Sequence, residues 1–137
     1  MLRKALLFIS LISWSVHAHC GSLYEDLGGR EGIATVVDNF ITEISFDPSI
    51  YPFFSKTNVP RLREKLEEQF CMLSGGPCEY TGDTMEKVHT GMHISSAEFN
   101  RTVELLQSAM DDAGVPFTTQ NRLIRLLAPL REEIIRR

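Results

Sequence analysis

The sequence has no surplus of positive charge: 14 Lys and Arg stand against 18 Asp and Glu, a formal net charge of −4. That balance removes any chain-wide attraction for nucleic acid or anionic lipid. It also lacks an apolar run that could span a bilayer, since the stretch from Ala5 to Val16 is only 12 residues against the roughly 20 that a spanning helix needs. A permanent membrane anchor is therefore not expected. There is no glycine-rich phosphate loop and no nucleophile elbow. The three cysteines and four histidines nowhere fall at the spacing of a structural zinc site. No strand-like alternation and no internal repeat interrupts the chain. With 137 residues, 43% of them hydrophobic and 23% charged, the chain reads as one ordinary globular domain of the all-α class.

The first residues stand apart from that domain. Arg3 and Lys4 precede the apolar run, and Val16-His17-Ala18 follows it as a small-residue cleavage pattern. Residues 1–18 thus read as a secretory signal and 19–137 as the mature domain, which implies a periplasmic or secreted protein. Cys20 would lie near the new terminus, but His19 before it is not the small residue that a lipid-anchor signal wants. An oxidising compartment allows a disulfide between Cys71 and Cys78, which have the flexible Ser74-Gly75-Gly76-Pro77 turn between them; two free buried thiols are the alternative.

Helical spacing organises the rest. Ser22-Leu23-Tyr24-Glu25 is a capping-box pattern, and Gly28-Gly29 stops the short helix that it starts. Ile33, Val36, Val37, Phe40, Ile41 and Ile44 then form one apolar stripe. Asp47-Pro48 reads as an N-cap and first-turn proline of a short helical turn, with Pro52-Phe53-Phe54 at a corner. Asn58 to Leu73 resumes the pattern, placing Leu62, Leu66, Gln69, Phe70 and Leu73 on one face. Asp83-Thr84-Met85-Glu86 predicts a second capping box leading to Met85, Val88 and His89. After Gly91, Ser95-Ser96-Ala97-Glu98 opens a helix with Phe99, Thr102, Val103, Leu106, Ala109 and Met110 inward, closed by Gly114. The last helix turns Leu123, Ile124, Leu127, Leu130 and Ile134 inward and is bent at Pro129.

Few residues are candidates for chemistry. His89 and His93 are four apart, but Gly91 and the new cap at Ser95 put His93 in a turn, so the pair is expected to point apart. His89 has Met85, Val88 and Met92 around it at helical spacing, which aims its ring at an apolar interior. Spacing alone leaves two readings: a core histidine bonded to a backbone carbonyl, or a metal ligand.

The order of motifs resembles a known family. Ser22-Leu23-Tyr24-Glu25, Leu27-Gly28-Gly29, Pro52-Phe53-Phe54, Gly75-Gly76-Pro77, Tyr80-Thr81-Gly82, Val88-His89, Gly91 and Leu127-Ala128-Pro129-Leu130 look like the truncated haemoglobins of the first group, over nearly all of the mature chain. The resemblance implies a two-over-two helical globin sandwich holding haem b, with His89 as proximal iron ligand and Phe54 packed on the haem face. Phe40, Phe53, Phe54, Phe70 and Phe99, with Leu62, Lys65, Leu66, Met85 and Met92, are then expected to contact the cofactor.

Relatives that hold oxygen tightly commonly carry a Tyr and a Gln on the distal side. This chain has Ile41 and Leu66 there, with Leu62 at the gate, and none of these donates a hydrogen bond. Gln69 is either a donor to the ligand or an amide at the core edge. Lys65 is either a distal iron ligand or a lysine paired with a haem propionate. The implied function is reversible binding of oxygen or another diatomic gas. The alternatives are a nitric oxide dioxygenase or peroxidase-like enzyme fed by an external reductase, and a haem-free helical interaction module.

Overall fold

A computed structural model describes residues 21–135; the expected signal segment 1–18, its cleavage point, His19 and Cys20 lie outside the described residues. Among these residues every regular element is helical: α1 Leu23–Asp26, α2 Gly29–Phe46, α3 Tyr51–Phe54, α4 Val59–Leu73, α5 Met85–His89, α6 Ser96–Asp112 and α7 Phe117–Leu127. A 3₁₀ turn, Ala128–Leu130, carries the chain from α7 into α8, Arg131–Ile134. Pro129 sits inside that turn, where its missing amide and fixed φ break the α pattern.

The helix starts follow from local chemistry. Ser22 accepts from the Glu25 amide while the Glu25 carboxylate accepts from the Ser22 amide, and Ser95 and Glu98 repeat this reciprocal cap at α6. Each such cap contributes about 1 kcal/mol by satisfying amides that have no partner inside the helix. Between α1 and α2 the chain turns at Gly28, whose φ of 88° lies in the left-handed region that a side chain disfavours.

Two caps differ from expectation. Thr84, not Asp83, is the N-cap of α5: its hydroxyl accepts from the Lys87 amide, one position later than predicted, because Asp83 is drawn instead to the Lys87 ammonium. Asp47 opens no helix at Pro48. Its carboxylate accepts from the Ser49 amide, the Ser49 hydroxyl and the Ile50 amide, which folds residues 48–50 into a turn and delays the helix to Tyr51. The Pro52-Phe53-Phe54 corner is thus itself the helical turn α3.

The core sits where α2 crosses its neighbours. Ile33, Val36, Val37, Phe40 and Ile44 are buried on one face of α2, packed along α6 and across α4. Leu105, which the stripe reading omitted, joins Leu106, Ala109 and Met110 as the buried face of α6. With α7 closing on α6 and Leu123 fully buried, the long helices make the two-over-two sandwich. Phe99, Thr102 and Val103, expected in that core, face a cavity instead.

Candidate functional site

The sandwich leaves a cavity of about 620 Å³ between α4, α5, α6 and the C-terminal turns, a size suited to a single cofactor-sized ligand. Its walls are mainly apolar. Phe40 reaches it from α2, Phe53 and Phe54 from α3, Leu62, Leu66 and Phe70 from α4, Phe99 and Leu106 from α6, and Leu127, Leu130 and Ile134 from the end of the chain. Met85, Val88 and His89 supply the α5 wall, and Met92 follows just beyond it. Ile41 is absent from this lining; it is partly buried against the core instead.

His89 is half-buried at the cavity wall rather than enclosed in the core. Its Nδ1 lies 2.7 Å from the Met85 carbonyl oxygen. A carbonyl only accepts, so Nδ1 carries the hydrogen, and in the neutral ring the lone pair is left on Nε2. The carbonyl bond that a purely structural histidine would make is therefore the bond that orients a metal-ligating one. Both sequence readings of His89 describe the same geometry. His93 is exposed, does not line the cavity, and occupies the turn after α5 with a φ of 51°.

Lys65 and Gln69 line the cavity but have partners within the protein. Lys65 Nζ donates to both Glu68 oxygens at 3.0 and 3.1 Å, to Glu64 at 3.2 Å and to the Thr81 hydroxyl at 2.6 Å. The Glu68 carboxylate beside it raises the lysine pKa above its ordinary value, and a charged ammonium has no lone pair with which to bind iron. The distal-ligand role, one of the two readings of Lys65, finds no support in this arrangement. The ammonium is also engaged by carboxylates, which compete with any propionate. Gln69 is buried, and its Nε2 donates to the Met85 sulfur at 3.5 Å, bridging α4 to α5.

The sequence reading placed Thr81 in a motif but missed Glu68 and the bond between the two. Glu68 accepts from the Thr81 amide at 2.9 Å and from its hydroxyl, and the amide bond leads the causes that lower its carboxyl pKa. This ties the loop before α5 to α4 across 13 residues of sequence. Such a contact leaves no periodic signal. Cys71 and Cys78 are joined in a disulfide with Cα atoms 5.8 Å apart, anchoring the same loop.

The residues present fit haem. One imidazole with a free Nε2 faces a slot of aromatic and aliphatic side chains, whereas no group of three or more His, Cys, Asp or Glu among the described residues is placed to hold a bare metal ion. A two-over-two helical sandwich with a histidine presented to an apolar slot defines a haem-binding globin, a protein that takes up a diatomic gas. The chain belongs to the bacterial-like globin family, whose family model matches residues 22–136. It is similar to the Group 1 truncated hemoglobin GlbN of Mycolicibacterium paratuberculosis, at 38% identity over 117 residues, 85% of this chain and 86% of that protein. It is also similar to the crystal structure of the truncated hemoglobin from Tetrahymena pyriformis in its Fe(III) form, with a TM-score of 0.82, 25% identity, and coverage of 85% of this chain and all of that one.

Proposed function

We propose that this globin is an exported carrier or scavenger that binds oxygen or a related diatomic gas reversibly, with His89 as the proximal ligand of haem b. The observation that carries the assignment is the Nδ1 bond from His89 to the Met85 carbonyl, which fixes the ring and leaves Nε2 for the iron. Haem, held by His89, would supply an iron able to take up the gas. The protein's own residues do the rest: Phe53, Phe54 and Phe99 exclude water from the slot, and Leu62 and Leu66 form the wall that the gas meets.

Reversible binding is favoured over turnover because Leu62 and Leu66 have no proton to give, and Gln69 directs one of its two amide hydrogens to Met85. An external reductase is the partner that this reading calls for, to keep the iron ferrous. Export is supported by Arg3, Lys4 and the apolar run before Ala18, and by the disulfide, which persists in oxidising compartments. No helix among the described residues is long and apolar enough to cross a membrane.

Visible spectra of the purified protein and of two variants test the site. His89→Ala should weaken haem binding by more than the roughly 10- to 100-fold that loss of a ligand's hydrogen-bond partner costs, while His93→Ala should keep the wild-type spectrum. Equal haem affinity in His89→Ala and wild type would overturn the assignment. Intact mass of the exported protein tests the signal, with a chain beginning at His19 as the expected result.

A further inference from the structure

Away from the haem slot, a second cavity of about 310 Å³ opens on the Cys71–Cys78 disulfide, with Glu64, Glu67, Glu79 and Arg30 in its lining. The bond joins the last turn of α4 to the segment that runs into α5. Cys71 is buried in the core and Cys78 is only half-buried. The chain between them is pressed against the bond, for a Cβ at Gly76 would collide with the Tyr24 ring and the Cys71 sulfur. Farther on, the Thr81 to Glu68 bonds make a second tie to α4.

Beyond these ties the chain is weakly held. α5 has 5 residues, none of them buried, and a helix so short has no stability of its own. It rests on α8, on the Gln69 to Met85 contact, and on the segment that the disulfide anchors. His89 is its last residue.

We propose that the Cys71–Cys78 disulfide is a redox-modification site for a small dithiol, and that opening it slackens the segment before α5 and loosens the hold of His89 on haem. The haem part rests on the function proposed above. In the exchange, a thiolate of the dithiol attacks the sulfur of Cys78, the less buried of the two cysteines. A new S–S bond forms there, the Cys71–Cys78 bond breaks, and Cys71 leaves with the electron pair and takes a proton. The second thiol of the reagent then closes on its own first sulfur and releases Cys78 as a thiol. The protein gains two electrons and two protons, and the dithiol becomes a cyclic disulfide. Four glutamates, Glu64, Glu67, Glu68 and Glu79, line the cavity against Arg30 and repel thiols that carry further negative charge, so a neutral or cationic dithiol is the fitting reagent.

Dithiothreitol is the probe, removed by anaerobic gel filtration before measurement. Hydrogen exchange of residues 79–90 is followed in the oxidised, reduced and reoxidised protein as purified, and haem transfer to an excess of an acceptor globin is timed for the ferric holoprotein. The expected result is faster exchange in 79–90 with α2 and α6 unchanged, haem loss accelerated about tenfold or more, and reversal on reoxidation. A Cys71→Ser/Cys78→Ser double variant should match the reduced protein; if it does not fold, the reduced wild type carries the test. Unchanged exchange in 79–90, exchange that rises equally in α2 and α6, a disulfide that resists the reagent in the folded protein, or an unchanged rate of haem loss each overturns the proposal. A protein that binds no haem at all refutes the haem reading, while the exchange experiment still decides whether the disulfide is a local clasp.

Discussion

Leu66 occupies the stretch of α4 that faces the cavity, and its side chain offers a gas only van der Waals contact. A hydrogen bond to a charged partner contributes about 1.5–3 kcal/mol, which is roughly 10- to 150-fold in residence time if the whole effect falls on release. Leu66→Gln should therefore slow oxygen release by that factor in flash photolysis or stopped flow. Gln69→Leu should change release less than the Leu66 substitution does, because one of the two Nε2 hydrogens is directed at the Met85 sulfur. Lys65 is decided by the same kind of reasoning. Its ammonium is shared between Glu64, Glu68 and Thr81, so Lys65→Ala should leave the ferric spectrum unchanged and lower the thermal midpoint slightly. A shift from six- to five-coordinate iron in that variant would restore lysine as a ligand. Sequence alone leaves Lys65 and Gln69 with two readings each, since spacing places a side chain on a face but does not choose its partner.

At the scale of elements, the turn between α2 and α3 depends on one carboxylate. Asp47 accepts from Ser49 and Ile50 and takes the Arg101 Nε at 2.8 Å, which pins the α2–α3 corner to α6 and so sets where Phe53 and Phe54 enter the cavity. The Ser49 hydroxyl first, and the Arg101 guanidinium next, hold its pKa at about 2 against an ordinary value of 3.8. A carboxyl depressed in the folded state stabilises it fully above the unfolded pKa, and that stability is lost as pH falls through the folded one. The gap in thermal midpoint between wild type and Asp47→Asn should thus be constant above about pH 5 and shrink as pH falls from about 4 to about 2. A gap independent of pH over that range would show that the carboxylate charge is not what holds the corner. The capping boxes at Ser22 and Ser95 are legible in the sequence because both partners lie within one helical turn. The Asp47–Arg101 pair is not, since 54 positions separate the two.

For the whole molecule, haem is part of the packing. Phe54, Leu66, Met85, Met92 and Phe99 are each only partly buried among protein atoms, and all line one slot. A ligand that binds only the folded state stabilises it by mass action, by about 4 kcal/mol at a thousandfold excess over its dissociation constant. Calorimetry should find the holoprotein melting well above the haem-free chain, with the difference growing as free haem rises. Met110, fully buried in the core away from the slot, makes the contrast: Met110→Ala should cost about 2–5 kcal/mol with or without haem.

The helical class, the long helices and their apolar faces, the stops at glycine and the family are all legible before folding, because periodicity, caps and motif order are written locally. The sequence also carries Phe54, Phe70 and His89 as residues with a common destination. The packing of the helices chooses which of those apolar faces closes on protein and which opens on the slot. A periodic stripe has the same appearance in both cases, as Val36 in the core and Phe99 at the cavity show. The packing decides as well that Lys65 pairs with Glu68, that Gln69 reaches Met85, that Ile41 turns to the core, and that Cys71 meets Cys78. Each of these is a choice among partners that the chain brings within reach only after its helices have crossed.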